Sequence, residues 1–276
     1  MTLKYKNRVF LFLFALSSLN FLLDATAFCT AFLSHSLVPP SDPIRAFVLL
    51  PKAFLCPYSF PSVLVAILFF SAFAAFLSIV VFKSFEHTPS LEILFFSGFV
   101  VSCILESTRL FLPVFRVLET NSRALIALGR VVVAARFLAP ASFFFAEIFS
   151  STEELQNAQR NILFLAAATF AFAFFYPMNT MHLTTSCTVL WGFKGFFAAF
   201  RTFIFAVTIF TVLVDAYTQQ VKRIYVKAVG MVVLFSGYAL LCSTDCWLEF
   251  SVALLLLALG SLLYLKTVHY LENAWG

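Results

Sequence analysis

The sequence predicts an all-α polytopic membrane protein, a bundle of eight transmembrane helices. Two observations carry that prediction. The chain is 62% hydrophobic and only 11% charged, with a mean hydropathy of +0.98, far from the balance of a water-soluble domain. Its apolar residues also gather into eight runs, each close to the roughly 20 residues that cross about 30 Å of hydrocarbon at about 1.5 Å per residue. Acyl chains accept apolar surface that water does not, so the thirty-nine Phe read as lipid-facing bulk rather than as stacking.

The first run, 9–33, follows Lys4, Lys6 and Arg8. Small residues at Ala25-Thr26-Ala27 offer a signal-peptidase site, and cleavage there would leave seven spans. The apolar run continues past that site to Leu33, and Asp24 lies just before it. Residues 1–34 are therefore read as an uncleaved signal anchor. Residues 35–61 carry Pro39, Pro40, Pro43, Pro51, Pro57 and Pro61, which forbid a regular helix and define an outer-face loop with an interfacial stretch at Ile44–Leu55. A seven-helix bundle occupies 62–267, with spans at 62–82, 91–112, 124–149, 161–177, 187–214, 226–242 and 248–266, and 268–276 forms a tail. Start signals stand at Thr88 before Pro89, at Asn121 before Arg123, and at the capping box Ser151-Thr152-Glu153-Glu154. Ala166–Ala168, Ala171 and Ala173 make the fifth span a packing helix.

Lys and Arg in short loops set the orientation. With the N-terminus inside, Lys4, Lys6, Arg8, Lys83, Arg160, Lys222, Arg223, Lys227 and Lys266 fall on the cytoplasmic side, against Arg45, Lys52, Arg116 and Arg123 outside. The expected location is thus a bacterial inner membrane, with both ends cytoplasmic. Lys222-Arg223-Ile224-Tyr225-Val226-Lys227 is the strongest anchor, read as a solvated loop meeting anionic headgroups. The same reading accounts for the net charge of +5, so no nucleic-acid partner is implied.

Charges inside the spans are the informative residues, because each costs on the order of 3 kcal/mol at the bilayer centre if unpaired. Glu106 and Arg109 stand one helical turn apart. Counted along its helix from Leu91, Glu106 lies about 22 Å in, while Arg130 and Lys194 fall about 10 Å below the outer surface. Glu106, Arg109, Arg130 and Lys194 are expected to form one outer-half cluster, with Arg136 and Arg201 deeper and Glu147 and Asp215 near the inner surface, where water returns. The middle layer is strongly basic. Asp24, snorkelling side chains, or an anionic ligand or lipid headgroup in a cavity can offset it. The candidate ligand-binding residues are Glu106, Arg109, Arg130, Arg136, Lys194 and Arg201. The seven-residue spacing of Arg109, Arg116, Arg123 and Arg130 defines no common face, because Pro113 and Asn121 divide it between two helices.

No catalytic or metal motif is legible: HExxH, GxSxG and the phosphate-cradling GxxxxGK[ST] are absent, and the four histidines are scattered. An enzyme is not expected, and neither is a cofactor. The six cysteines read mainly as small apolar fillers; a Cys29–Cys56 bridge is conceivable on the outer side.

Phe95-Phe96-Ser97-Gly98-Phe99, Leu105-Glu106-Ser107-Thr108-Arg109, Tyr176-Pro177-Met178-Asn179-Thr180 and Ser243-Thr244-Asp245-Cys246-Trp247 resemble a spirochaete-type family of bacterial multi-span integral membrane proteins, over most of the chain after residue 60. That resemblance supplies no activity. It implies a layout similar to seven-span sensory modules behind an N-terminal anchor, although no kinase, cyclase or DNA-binding output is legible in the chain. Two functions follow as expectations. One is a non-enzymatic module binding a ligand, a lipid or a protein partner through the outer polar cluster; the other is a small transporter, or transporter subunit, for an anionic or polar solute.

Overall fold

The computed structural model describes residues 3–34, 37, 39, 57–86, 90–115, 122–150 and 158–275. Residues 40–56 of the Pro-rich loop, with the Ile44–Leu55 stretch, Arg116, the Asn121 cap and the Ser151 capping box lie outside the described residues, while Phe60 and Pro61, expected in the loop, form the first turn of a helix. Within them the protein is all-α apart from one hairpin, and eight helices are long and apolar enough to cross a membrane. In chain order these are α1 (Leu3–Leu33), α2 (Phe60–Ser84), α3 (Leu91–Ser107), α4 (Ser122–Ser150), α5 (Ala158–Phe175), α6 (Lys194–Gln219), α7 (Lys222–Cys242) and α8 (Trp247–Trp275). A 3-10 turn and a short helical segment extend α3 through Val114.

Ser90, rather than Thr88, caps α3. Its hydroxyl accepts the Ile93 amide at 3.3 Å, which satisfies one of the orphan donors of the first turn. A second departure is larger. The sixth span was expected to begin at residue 187, yet β1 (Met178–Leu183) and β2 (Val189–Trp191) pair antiparallel there and α6 starts only at Lys194. Backbone of this kind survives at membrane depth only where protein encloses it. Here Thr184, Thr185, Ser186, Cys187 and Thr188 are all at most 4% exposed. Gly129 of α4 makes room for the hairpin, since a Cβ there would meet Val189 and Met178 at 3.2 and 3.3 Å.

The phenylalanines divide by face. Phe12, Phe32, Phe76, Phe164, Phe175, Phe196 and Phe210 point outward, as lipid-facing bulk should. Against the expectation of no stacking, a ring cluster of Phe96, Phe99, Phe143, Tyr238 and Tyr264 fills the core, with centroids 5.4–5.6 Å apart between Phe96 and Tyr264, Phe99 and Phe143, Phe99 and Tyr238, and Phe143 and Tyr264. Offset and edge contacts of this sort add about 0.5–1.5 kcal/mol per pair beyond burial. The fifth span is peripheral: Leu165, Thr169 and Ala173 are buried, while Phe164, Phe170, Phe174 and Phe175 are exposed.

The tightest seam joins α7 to α8. Lipid gives helices no hydrophobic reason to associate, so small residues that admit close backbone approach decide where they pack. A Cβ at Gly260 would stand 2.3 Å from the Leu234 amide nitrogen, and one at Gly237 would stand 2.7 Å from the Leu257 nitrogen. Gly260→Ala must therefore force the two helices apart, and a loss of about 1–3 kcal/mol is expected from the overpacking. Gly195→Ala, which meets nothing within 4 Å, serves as the control. Thermal unfolding in detergent should show a marked drop for the first variant and no drop for the second.

Candidate functional site

One carboxylate gathers charges from across the bundle. Glu106 sits at the C-terminal end of α3, entirely buried. Arg136, mid-way along α4, grips it with Nε at 3.0 and 3.3 Å from its two oxygens and a terminal nitrogen at 2.6 Å from Oε1. Arg109, in the 3-10 turn after α3, stands 3.4 Å from the same Oε1. Forked guanidinium contacts such as that of Arg136 are shorter and stronger than neutral ones.

A second negative element faces these arginines. The last turn of any helix leaves carbonyls without intrahelical donors and carries the negative end of the macrodipole. At the end of α7, Arg109 donates to the Cys242 carbonyl at 2.8 Å and to that of Leu241 at 3.3 Å, and Arg136 donates to Cys242 at 3.0 Å. The hairpin tip adds the Ser186 carbonyl, 3.3 Å from Arg109. Two cations are thereby balanced by one carboxylate, one helix terminus and one loop carbonyl.

The tip is shaped to present that carbonyl. Thr184 Oγ1 lies 2.6 Å from Thr188 Oγ1 and accepts the Thr188 amide, while the Thr184 amide donates to the Thr188 carbonyl at 2.8 Å. Cys187 closes the turn in the left-handed region at φ 55°. Burial pushes its thiol up to about 12, despite the opposing influence of Arg109, so it stays protonated and unreactive. Tyr58 donates to the Thr185 carbonyl at 3.4 Å, tying the tip to the segment before α2.

Beside this cluster is a cavity of about 520 Å³ bounded by the hairpin, α4, α6 and α7, with Leu256 of α8. Its cations are Arg136, Lys194 and Arg201; its hydroxyls are Thr184, Thr188, Thr202, Ser236 and Ser243. Trp191 and Phe197 supply aromatic wall, and among the described residues no carboxylate lines it. Lys194 and Arg201 are two turns apart on α6 and so share a face. Neither has an ion-pair partner among the described residues. Arg201 Nε is buried without a hydrogen bond, and its guanidinium lies 5.8 Å from the Phe235 ring centre. One turn beyond Arg201 on α6, Phe205 stacks on Phe235 at 4.1 Å.

The expected site is thus partly realised. Glu106 and Arg109 meet, but Arg136, expected deeper, joins them in place of Arg130. Arg130 instead lies over the Phe174 ring at 4.4 Å. Lys194 is the first residue of α6 rather than one buried within a helix, which removes the premise of its depth estimate. It lines the cavity with Arg136 and Arg201 without touching Glu106. Asp24 does not neutralise the arginines either: it accepts from Asn20 at 3.0 Å, and Asn20 also donates to Ser107. Backbone carbonyls provide the charge balance that side-chain composition left open.

At the opposite end of the bundle, Glu147 and Lys227 depart from their solvated reading. Both are buried, and with Glu92, which the sequence analysis passed over, they form a second ionic cluster. The cysteines depart too: Cys29 is a free thiol, excluding the Cys29–Cys56 bridge, whereas Cys246 is disulfide-bonded. Among the described residues, no group of His, Cys, Asp and Glu is arranged to hold a metal.

No protein-family model, curated protein or solved structure matches the chain. The site is read from its own geometry.

Removing the Glu106 charge leaves two buried guanidinium groups without their carboxylate. Glu106→Gln should cost about 3–5 kcal/mol, the usual penalty for breaking a buried pair. Arg130→Gln, which loses a cation–π contact, should cost about 1 kcal/mol. Unfolding of both variants in lipid nanodiscs measures the difference, and equal effects would contradict the geometry.

Proposed function

We propose that this integral membrane protein is a non-enzymatic binding module that holds an anionic group in its outer-half cavity. The observation that carries this reading is the pairing state of the cavity wall. Arg109 and Arg136 are balanced by Glu106 and the end of α7, but Lys194 and Arg201 add positive charge to a lining that has no carboxylate. Lys194 and Arg201 are half-buried and carry no ion-pair partner among the described residues, and an anion in the cavity would offset the desolvation of both. Convergent hydroxyls suit phosphate or carboxylate oxygens, Trp191 and Phe197 suit an apolar body, and the volume lies within the roughly 300–1,000 Å³ of small-molecule sites. An amphiphile with an anionic head, such as an anionic lipid, fits all three features.

Transport of an anionic solute is the second reading, since the cavity is cationic. The extent of the lining weighs against it, because among the described residues it reaches no farther along the bundle than Thr202 on α6 and Ser236 on α7. Nothing in that lining continues toward Asp215.

Orientation belongs to the same proposal. Disulfides persist on oxidising faces, so the bond at Cys246 supports an outer position for the α7–α8 turn. Lys222 and Arg223 at the opposite end of α7 fit the cytoplasmic side. The cavity, at the Cys246 end, would then open toward the outer leaflet of a bacterial inner membrane.

The test compares the full chain in nanodiscs of zwitterionic lipid, of the same lipid doped with phosphatidylglycerol, and of zwitterionic lipid with inorganic phosphate. The doped lipid or phosphate should raise the thermal midpoint, and the arm that does so identifies the source of the anion. Arg201→Gln should weaken that binding at least tenfold, about 1.4 kcal/mol. No stabilisation by either anion, or equal stabilisation of the variant, would refute the reading.

A further inference from the structure

Asp24 of α1 is a fully buried carboxyl with no counter-charge among the described residues. Its Oδ2 accepts the Asn20 side-chain amide at 3.0 Å, while its Oδ1 has no hydrogen-bond partner. The other polar groups beside it are the hydroxyls of Ser71 on α2 and Ser107 at the end of α3. Three helices thus meet at one acid.

Neither hydroxyl is free to supply the missing donor. A serine carries a single O–H proton; Ser71 donates its own to the Leu68 carbonyl at 3.0 Å, and Ser107 to the Ile104 carbonyl at 2.9 Å. Ser107 also accepts from Asn20 at 2.8 Å. Toward Asp24 both serine oxygens are acceptors. The charged groups on the elements packed around the acid lie far off or are engaged elsewhere. On α1, Lys4, Tyr5, Lys6 and Arg8 stand about 24 Å or more away along the helix, and Lys83 lies about 18 Å beyond Ser71 on α2. On α3, Glu92 is about 22 Å before Ser107. Glu106 holds Arg136, and Arg109, in the turn that follows α3, is bound to Glu106 and to the end of α7. The segment Phe111–Val114 carries no titratable group, and the thiols of Cys29 and Cys103 are free. In the next turns of α1, Ala27, Phe28 and Ala31 pack into an apolar cluster with Val63, Ile67, Leu110 and Val114.

An anion here would bear the full cost of a buried charge without a partner, and a group so placed neutralises instead. We propose that Asp24 is a proton-binding site, a carboxylic acid whose Oδ1–H donates to the Ser71 or Ser107 oxygen and fastens α1 to α2 and α3. The proton fills the place in this network where a donor is missing. Its loss would leave a carboxylate oxygen facing two acceptors, so the contact of α1 with its neighbours holds while the acid is neutral. The site is separate from the cavity lined by Arg136 and Arg201 and does not depend on any ligand there.

Infrared spectroscopy of the full chain in zwitterionic nanodiscs tests this directly. At neutral pH the unmodified protein should show a carboxylic-acid C=O band that shifts when aspartate is isotope-labelled. The chain has four aspartates, so the band can be assigned one residue at a time. It should be lost in Asp24→Asn and retained in Asp42→Asn, Asp215→Asn and Asp245→Asn, each measured alone. If the Asp24→Asn chain does not fold, retention in the other three variants still assigns the band to Asp24. Absence of an aspartate-sensitive acid band from the unmodified protein would overturn the proposal whatever the variants do. Its survival in Asp24→Asn, or its loss in any of the other three, would overturn it as well.

Discussion

The end of the bundle at the α7–α8 turn is organised around a charge problem: two guanidinium groups, Arg109 and Arg136, are buried there. Their solution is composite. Glu106 supplies a full negative charge in bidentate contact with Arg136, and the end of α7 supplies partial charges from carbonyls that its own helix leaves without donors. A carboxylate alone would leave one positive charge over; a helix terminus alone would not attract two. Together they join α3, α4 and α7 at one point. They also require the hairpin, whose Ser186 carbonyl completes the shell around Arg109.

The cavity follows from that arrangement. α6 begins after the hairpin, and its Lys194 and Arg201 line the cavity together with Arg136 of α4. At the other end of the bundle Lys227 meets two carboxylates, Glu92 and Glu147. Buried charges thus stand at both ends, and aromatic rings fill the core between them. Such polarity is not explained by packing, since apolar residues of similar volume would fill either place without a desolvation penalty.

The sequence made the eight apolar helices legible, because composition and run length alone determine them. Glu106 and Arg109 were legible as a pair through their one-turn spacing. Arg136 as the partner of Glu106 was not, because depth counted along separate helices carries no information about their rotation or tilt. The hairpin was hidden because Val189, Leu190 and Trp191 of its second strand read as the start of the sixth span, and 178–186 as a connection; Pro177 and the run Thr184-Thr185-Ser186 were the signals that could have revealed it. Lys227 was read as a loop charge from its neighbours Lys222 and Arg223. Only the placement of Glu92 and Glu147 shows that it turns inward.

A double-mutant cycle between Glu106 and Arg136 tests the organising role of this contact most directly, with unfolding free energies of Glu106→Gln, Arg136→Gln and the combined variant measured in the same nanodiscs. The account predicts strong coupling: the two losses together should fall short of additivity by about 2–3 kcal/mol. Additive losses would mean that the two side chains act independently, and the outer cluster would then not be the interaction on which the fold depends.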